Sequence, residues 1–258
     1  MTTYPLHFFG DSFTAGDELV DQEYIGNYPP FLTFREWTKS YPSQGRPSLA
    51  HLTDKEMVVL KKKEREKSYA GLLNGTNHGI GGTSIQSIAR RVIQHLEETD
   101  EKCVIFIQPP DTARWSDYVD GMWVDFGAHG VTSTYDFNPN ANYNDYHKFK
   151  IIHNTDFSNL VRWYNTLIPL IAYIKNHKNT VDWWLINHGV FNFIPSWIKD
   201  NGLKDLPMMN FMDSVKNRII NFPQVDDQNY PYFHLGGHVN QYAHELLAKK
   251  LQMLLPTT

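Results

Sequence analysis

Residues 4–16 read YPLHFFGDSFTAG, a short apolar run that passes into a small polar turn at Gly10. A strand that ends in glycine and leads into a helix places Ser12 at the carboxyl end of that strand, the edge where open α/β sheets bind ligands. The backbone N–H of Ser12 would then face outward in the first helical turn, where it can stabilise an anion. Ser and Asp also favour helix caps, so the tripeptide alone does not separate a nucleophile from a cap.

The rest of the chain alternates short apolar runs with amphipathic segments of helix length, a pattern typical of a parallel sheet covered by helices. We predict strands over 4–9, 103–108 and 182–187, with a further short strand leading into Asn77. We predict helices over 54–67, 84–97, 156–176 and 240–254. The predicted fold class is α/β, a three-layer α/β/α sandwich around a flavodoxin-like parallel sheet.

Two stretches, 17–68 and 117–150, are too long to be simple connections between the predicted strands and helices. We interpret both as ordered insertions in a single domain spanning 1–258. The second is rich in Gly, Asn and Asp, yet it carries many aromatic residues, which argues against disorder. Flat rings can stack on a sugar, and they can equally pack the insertion's own core. The sequence leaves both interpretations open.

The charge, the cysteine count and the absence of long apolar runs exclude several classes of protein. The net charge is −4, and the charges of the most basic segment, 61–67, are mixed, so no nucleic-acid-binding surface is predicted. The single cysteine, Cys103, excludes an intrachain disulfide and is predicted to be a small buried hydrophobe. No signal peptide and no apolar run of about 20 residues is visible, so we expect no membrane insertion and a cytoplasmic location. A virion location and the oligomeric state stay open.

Residues 234–248 read HLGGHVNQYAHELLA. A histidine on a glycine-rich loop just before a helix can reach across a sheet edge, as a general base must. A metal site built on His234, His238 and His244 is disfavoured, because Gly236 and Gly237 break any shared helical face and no acidic residue stands at a typical spacing. No metal is therefore predicted.

Three segments together resemble the SGNH (GDSL-type) serine hydrolases. The first is Gly-Asp-Ser at 10–12, and the second is Asn-x-Gly-x-x-Gly at 77–82. The third is the C-terminal segment, in which the matching residues are His238, Asn240, His244, Leu247 and Ala248.

The resemblance implies that Ser12 is the nucleophile and His238 its general base. It also implies an oxyanion hole formed by the backbone amides of Ser12 and Gly82, and no metal or organic cofactor. His244, inside the last helix, is expected to be structural. Substrates of the family are acyl esters, including O-acetyl groups on carbohydrates, so the expected partner is a small-molecule or carbohydrate ester.

Two family motifs are broken. The family's Gly-x-Asn-Asp is absent after the strand at 103–107, and Gln108, Thr112 and Arg114 are the candidates to replace its asparagine as an oxyanion donor. The family's catalytic aspartate stands three residues before the histidine, where this chain has Leu235.

Another acceptor must then hold the His238 ring. A backbone carbonyl of the loop 233–236 is the first candidate, and Asp226 or Asp227 is the second. Two functions are therefore possible. The resemblance favours a serine esterase, whereas the broken motifs favour an inactive binding or structural module that keeps the fold, such as a virion component. A nucleotide site at 79–82 is disfavoured, since no Lys-[Ser/Thr] follows the glycines as a P-loop requires.

Overall fold

The computed structural model describes residues 4–26, 30–33, 35–36, 39, 48–119, 122–127, 130–134, 155–191, 207–234 and 237–255. Five strands form a parallel sheet, with bounds β1 Leu6–Phe9, β2 Thr76–Asn77, β3 Cys103–Ile107, β7 Thr180–Asn187 and β8 Ile219–Asn221. Their order across the sheet is β2-β1-β3-β7-β8. The three strands predicted from apolar runs and the short strand at Asn77 are confirmed. The short β8 was not predicted.

The described helices connect the strands, and the last two follow β8. They are α1 Ser12–Ala15, α2 Asp54–Lys67, α3 Tyr69–Leu72, α4 Ile85–Glu98, α5 Asp156–Asn176, α6 Pro207–Val215, α7 Pro223–Asp226 and α8 Gln241–Leu254. Two 3₁₀ turns complete the list, Asp21–Glu23 and Lys216–Arg218. The four predicted long helices are confirmed to within a residue. None of the described helices is long and apolar enough to cross a membrane.

Helices cover both faces of the sheet, because successive side chains of a strand point to opposite faces. Phe9 packs with α4 and α5 on one face, whereas Phe8 packs with α3 and α8 on the other. The central β3 is buried on both faces, which explains why it is an unbroken apolar run rather than an alternating one. The predicted three-layer α/β/α class is confirmed.

A three-stranded antiparallel sheet begins two residues before the second predicted insertion and continues into it. Its strands are β4 Trp115–Val119, β5 Met122–Gly127 and β6 Gly130–Thr134. Two of its aromatic residues, Trp115 and Phe126, are buried and stack on each other at 5.6 Å. Tyr118 and Trp123 are instead 63% and 42% exposed. The insertion thus uses aromatic residues both for its own core and at its surface. Residues 135–150 of this insertion lie outside the described ranges.

A buried carboxylate attaches this sheet to the start of α4. Asp125 Oδ1 accepts hydrogen bonds from the hydroxyls of Ser84 and Ser87 at 2.7 and 2.8 Å, and from Ser116. Thr83 donates to its other oxygen at 3.3 Å. All five side chains are buried, so removing the carboxylate would leave several hydroxyls without their acceptor.

We expect Asp125→Ala to lower the free energy of unfolding by about 3 kcal/mol, the order of magnitude for breaking a buried polar network. Urea unfolding followed by circular dichroism measures this. The control is Asp100→Ala at an exposed position, where a change within about 0.5 kcal/mol is expected. Equal unfolding midpoints for the two variants would contradict the structural role of the Asp125 network.

Candidate active site

Ser12 is the first residue of α1 and directly follows the turn that ends β1. The Asp11 carboxylate caps this helix by accepting a 3.0 Å hydrogen bond from the Phe13 N–H. Gly16 ends the helix with φ of 80°, a left-handed conformation that glycine adopts without strain. The Ser12 hydroxyl forms no hydrogen bond with any residue that the structure describes. The local sequence thus presents the hydroxyl at the carboxyl edge of the sheet, as predicted.

The loop 77–82 is tied to β1. The His78 N–H donates to the Phe8 carbonyl at 2.8 Å, and the Ile80 N–H donates to the Gly10 carbonyl at 3.1 Å. These bonds continue the pairing of β1 and β2 beyond the strands themselves. They bring the loop alongside the turn that carries Ser12.

The glycines of this loop permit its close approach to Ser12. A side chain on Gly79 would lie 2.3 Å from the backbone of α1. One on Gly81 would lie 2.6 Å from the Asp17 carboxylate and 3.7 Å from the Ser12 Cβ. Gly82 has φ of 75°, in the left-handed region that favours glycine. Close packing thus explains the motif glycine Gly79, and backbone conformation explains the motif glycine Gly82.

His238 stands on a tight loop at the same edge of the sheet. The His234 N–H donates to the His238 carbonyl at 2.7 Å, and the Asn240 side chain caps α8 by accepting from the Ala243 N–H at 3.1 Å. The His238 ring packs edge-on against the Phe13 ring at 5.5 Å. Since Phe13 adjoins Ser12 in the chain, this contact places the histidine beside the turn that carries Ser12.

The acid beside His238 is Glu18. Its Oε2 lies 3.1 Å from Nδ1 of His238 and 3.4 Å from the backbone nitrogen of the same residue. The Glu18 carboxylate is fully buried, whereas the His238 side chain is 19% exposed. The contact is a close ion pair, because Nδ1 of His238 meets no described atom in hydrogen-bond geometry. A carboxylate beside Nδ1 favours the orientation in which Nε2 exchanges protons with a substrate or another side chain.

Helix α2 holds Glu18 in this position. The backbone N–H of Glu18 donates to Oε1 of Glu64 at 2.8 Å, and Glu64 is itself fully buried. Lys61 binds both Glu64, at 2.8 Å, and Asp17, at 2.7 Å, and so offsets part of their negative charge. Glu18 has φ of 72°, a conformation that costs a non-glycine residue about 1–3 kcal/mol. The contacts from α2 fix a backbone conformation that the isolated segment would avoid.

These charges set the protonation of His238. Burial lowers the pKa of His238, but the neighbouring Glu18 carboxylate, with smaller contributions from Asp17 and Asp11, raises it by more, so the pKa lies above its ordinary value. The carboxylates therefore stabilise the imidazolium form that a general base reaches when it accepts a proton.

Glu18 corrects the expectation for the third member of a triad. Asp226 forms an ion pair with Lys250, and Asp227 accepts a 3.1 Å hydrogen bond from the Asn229 N–H, so both aspartates are engaged elsewhere. Of the loop 233–236, Leu235 and Gly236 lie outside the described residues. The acceptor that the structure describes beside Nδ1 of His238 is a carboxylate from the other end of the sequence.

The three candidates for a further oxyanion donor differ in position. Gln108 is buried, where its Oε1 accepts from the Thr14 hydroxyl at 2.7 Å and its Nε2 lies 3.1 Å from Nδ1 of His188. Its amide is therefore already engaged. Arg114 pairs with the Asp11 carboxylate at 3.2 Å and so contributes a positive charge beside the nucleophile turn. Thr112 lies half-buried between these two positions in the chain.

His188 is a site residue that the sequence reasoning missed. It follows the last residue of β7 and packs its ring against Phe13 at 4.8 Å. Burial lowers its pKa, which the nearby Asp11 raises by less, so the ring is neutral at pH 7. The signal was a polar residue directly after a buried parallel strand, at the same edge as Ser12.

Among the described residues, no hydrogen bond joins Ser12 to His238. Their pairing as nucleophile and base therefore stays a prediction, as does the role of the Gly82 amide. His244 is buried, and its Nδ1 accepts a 3.1 Å hydrogen bond from the Tyr69 N–H, which suits the structural role expected of it.

No protein-family model and no curated protein sequence matches the chain. Among solved structures, it is similar to a member of the lipolytic protein G-D-S-L family from Veillonella parvula, with a TM-score of 0.47, 11% identity and 98% coverage of both chains. It is also similar to a carbohydrate esterase family 2 enzyme with a carbohydrate binding domain from Corynascus thermopiles, with a TM-score of 0.46 and 12% identity. That match covers 98% of this chain and 65% of the other. The chemistry of this site therefore follows from the residues of this chain and not from those two proteins.

We expect Glu18→Gln to lower the pKa of His238. The substitution removes the carboxylate charge while burial, which disfavours the imidazolium, stays. A titration of the His238 ring by NMR measures the change, and the exposed His51 serves as an internal control that should not move. An unchanged His238 titration would show that Glu18 does not govern this histidine.

Proposed function

We propose that the chain is a serine ester hydrolase of the SGNH type, with Ser12, His238 and Glu18 as its triad. The observation that carries this proposal is the 3.1 Å contact between Nδ1 of His238 and the buried Glu18 carboxylate, at the sheet edge where Ser12 begins α1. A histidine oriented by a carboxylate next to an available serine is the arrangement that activates a nucleophile.

In the first step, Oγ of Ser12 attacks the carbonyl carbon of the ester while Nε2 of His238 takes its proton. The oxyanion that forms accepts hydrogen bonds from the Ser12 N–H at the start of α1 and, in this proposal, from the Gly82 N–H. Collapse of the intermediate breaks the bond to the alcohol oxygen, which leaves with the proton from His238. The product is an acyl ester on Ser12.

In the second step, water attacks the acyl carbon and gives its proton to His238. The acid is released, and the proton returns to Oγ of Ser12. Glu18 stays ionised through both steps, because its role is to orient the ring and stabilise the imidazolium. Asp11 is a positioning residue that caps the helix and pairs with Arg114.

The substrate class is an acyl ester, and a carbohydrate O-acetyl ester is the variant that the exposed aromatic residues support. Tyr118 and Trp123 lie edge to face at 5.4 Å on the surface of the antiparallel sheet. The Arg90 guanidinium covers the Trp123 ring at 3.9 Å. Arg90 occupies one face of Trp123, so the more exposed Tyr118 is the ring that can stack on a sugar.

A non-catalytic binding module is the second candidate. It is favoured by the absence of a hydrogen bond between Ser12 and His238 in the described structure and by the engagement of Gln108 in the core. The two candidates differ in one property, the nucleophilicity of Ser12.

We expect a fluorophosphonate probe to label Ser12, because a serine activated by a histidine attacks the phosphorus atom. The protein should hydrolyse short-chain p-nitrophenyl esters, and Ser12→Ala should lower the rate by about 10⁶-fold, as for other triad nucleophiles. Mass spectrometry of the labelled peptide identifies the modified residue.

Ser214→Ala is the matched control for labelling and hydrolysis. Ser214 is an exposed serine on α6, and its variant should be labelled and should turn over esters like the wild type. A wild-type protein that neither reacts with the probe nor exceeds Ser12→Ala on an ester panel would establish the binding-module function.

We expect Glu18→Gln to lower kcat by about 10³-fold or more, the scale seen when a triad acid becomes an amide. Because the pKa of His238 falls in this variant, the acidic limb of its pH–rate profile should move to lower pH.

Asp226→Asn and Asp227→Asn are the matched controls, since both aspartates are engaged away from His238, and their rates should equal that of the wild type. A large loss in either control with a normal rate in Glu18→Gln would assign the acid to the aspartate.

A further inference from the structure

Three histidines outside the Ser12 site converge between the sheet and α4. His7 lies on β1, His78 follows β2, and His95 lies in the last turn of α4. A ring nitrogen from each lies within 4.8 Å of those from the other two, and Nδ1 of His7 is 3.1 Å from Nε2 of His78. Three elements distant in sequence thus bring their imidazoles to one point.

Ring contacts restrict the positions of these side chains. The His78 ring stacks on Phe9 at 4.3 Å with an angle of 4° between the planes, and its backbone carbonyl accepts a hydrogen bond from Arg91. The His7 and His95 rings lie 4.0 Å apart. A metal site needs ligands held in place before the ion arrives, and packing supplies that here.

One nitrogen of the cluster lacks a partner. Nε2 of His95 is buried and forms no hydrogen bond with any described residue. Buried polar atoms in native proteins are nearly always satisfied by protein, water or an ion, so this nitrogen can take a partner from outside the protein.

Two of the ligand atoms already contact each other. Nδ1 of His7 and Nε2 of His78 lie at hydrogen-bond distance, so one of them carries the proton between the rings. Coordination of both nitrogens would replace this hydrogen bond, with the proton moving to the other nitrogen of its own ring. The charged neighbours are Arg91 and Arg65 near His78 and Glu98 near His95, which partly cancel.

We propose that His7, His78 and His95 form a binding site for a divalent transition metal ion, with zinc as its probe. Three imidazole nitrogens suit zinc, copper or nickel, whereas magnesium and calcium require oxygen ligands. Zinc–nitrogen bonds of about 2.0–2.1 Å place tetrahedral ligands about 3.3 Å apart, so small side-chain rotations would close the cluster on the ion. No carboxylate or thiol among the described residues joins the group, which leaves the fourth position to water or an external ligand.

An ion here would connect β1, the loop 77–82 and α4. This loop carries Gly79, which approaches α1, and Gly81, which approaches Ser12. The ion lies outside the proposed triad, so its effect would be to stabilise the fold and the position of this loop. The inference does not depend on ester hydrolysis.

The experiment is equilibrium dialysis of the full chain against zinc, with metal content measured by mass spectrometry. We expect one equivalent to be retained, a higher midpoint of thermal unfolding in zinc than in chelator, and X-ray absorption showing three nitrogen neighbours at about 2.0–2.1 Å. His95→Ala and His7→Gln should each lose the bound zinc and the thermal shift. The exposed His51→Ala is the matched control and should keep both.

Two results would overturn the proposal, and neither requires a variant to fold perfectly. Wild-type protein that retains no zinc excludes the site outright. Zinc that is retained by His95→Ala but lost by His238→Ala would place the ion on the C-terminal loop. Circular dichroism of each variant separates a lost ligand from a lost fold.

Discussion

The candidate site depends on burying the Glu18 carboxylate against His238. Removing a charge from water costs several kcal/mol unless it is paired, and here the backbone of the same residue is also held in a conformation that non-glycine residues avoid. Both costs are offset by contacts from α2, through Glu64 and Lys61. Strain that persists because its surroundings fix it is typical of functional positions, and this strain lies in the segment that directly follows the nucleophile helix.

Most of the fold could be predicted because its signals are local. Buried parallel strands such as β3 are continuous apolar runs, and long helices such as α5 show capping residues and amphipathic spacing in the sequence. The short β8 and the antiparallel sheet lacked such signals. Three residues of β8 give no measurable period, and the strands of the insertion are identified by pairing with one another, which a single sequence does not reveal.

The site could be predicted in part for the same reason. Ser12 and the loop of His238 carry glycine-rich motifs at recognisable positions, whereas Glu18 contacts His238 across 220 positions in the sequence. An acid three residues before the histidine is a spacing that can be searched. An acid that reaches the ring through a left-handed turn and a supporting helix has no such fixed spacing, because the contact exists only after folding. The same holds for His7, His78 and His95, whose convergence depends on the packing of α4 against the sheet.

The first insertion is therefore part of the candidate machinery rather than an addition to it. The segment after α1 supplies the carboxylate beside His238, and α2 supplies the residues that hold it, whereas the position three residues before the histidine is Leu235. A carboxylate on Nδ1 does the same work from either side, provided that it is buried, ionised and fixed in direction. A loop aspartate meets these conditions through its own short segment. Glu18 meets them only while α2 is folded against the turn, which couples the orientation of His238 to the integrity of the insertion.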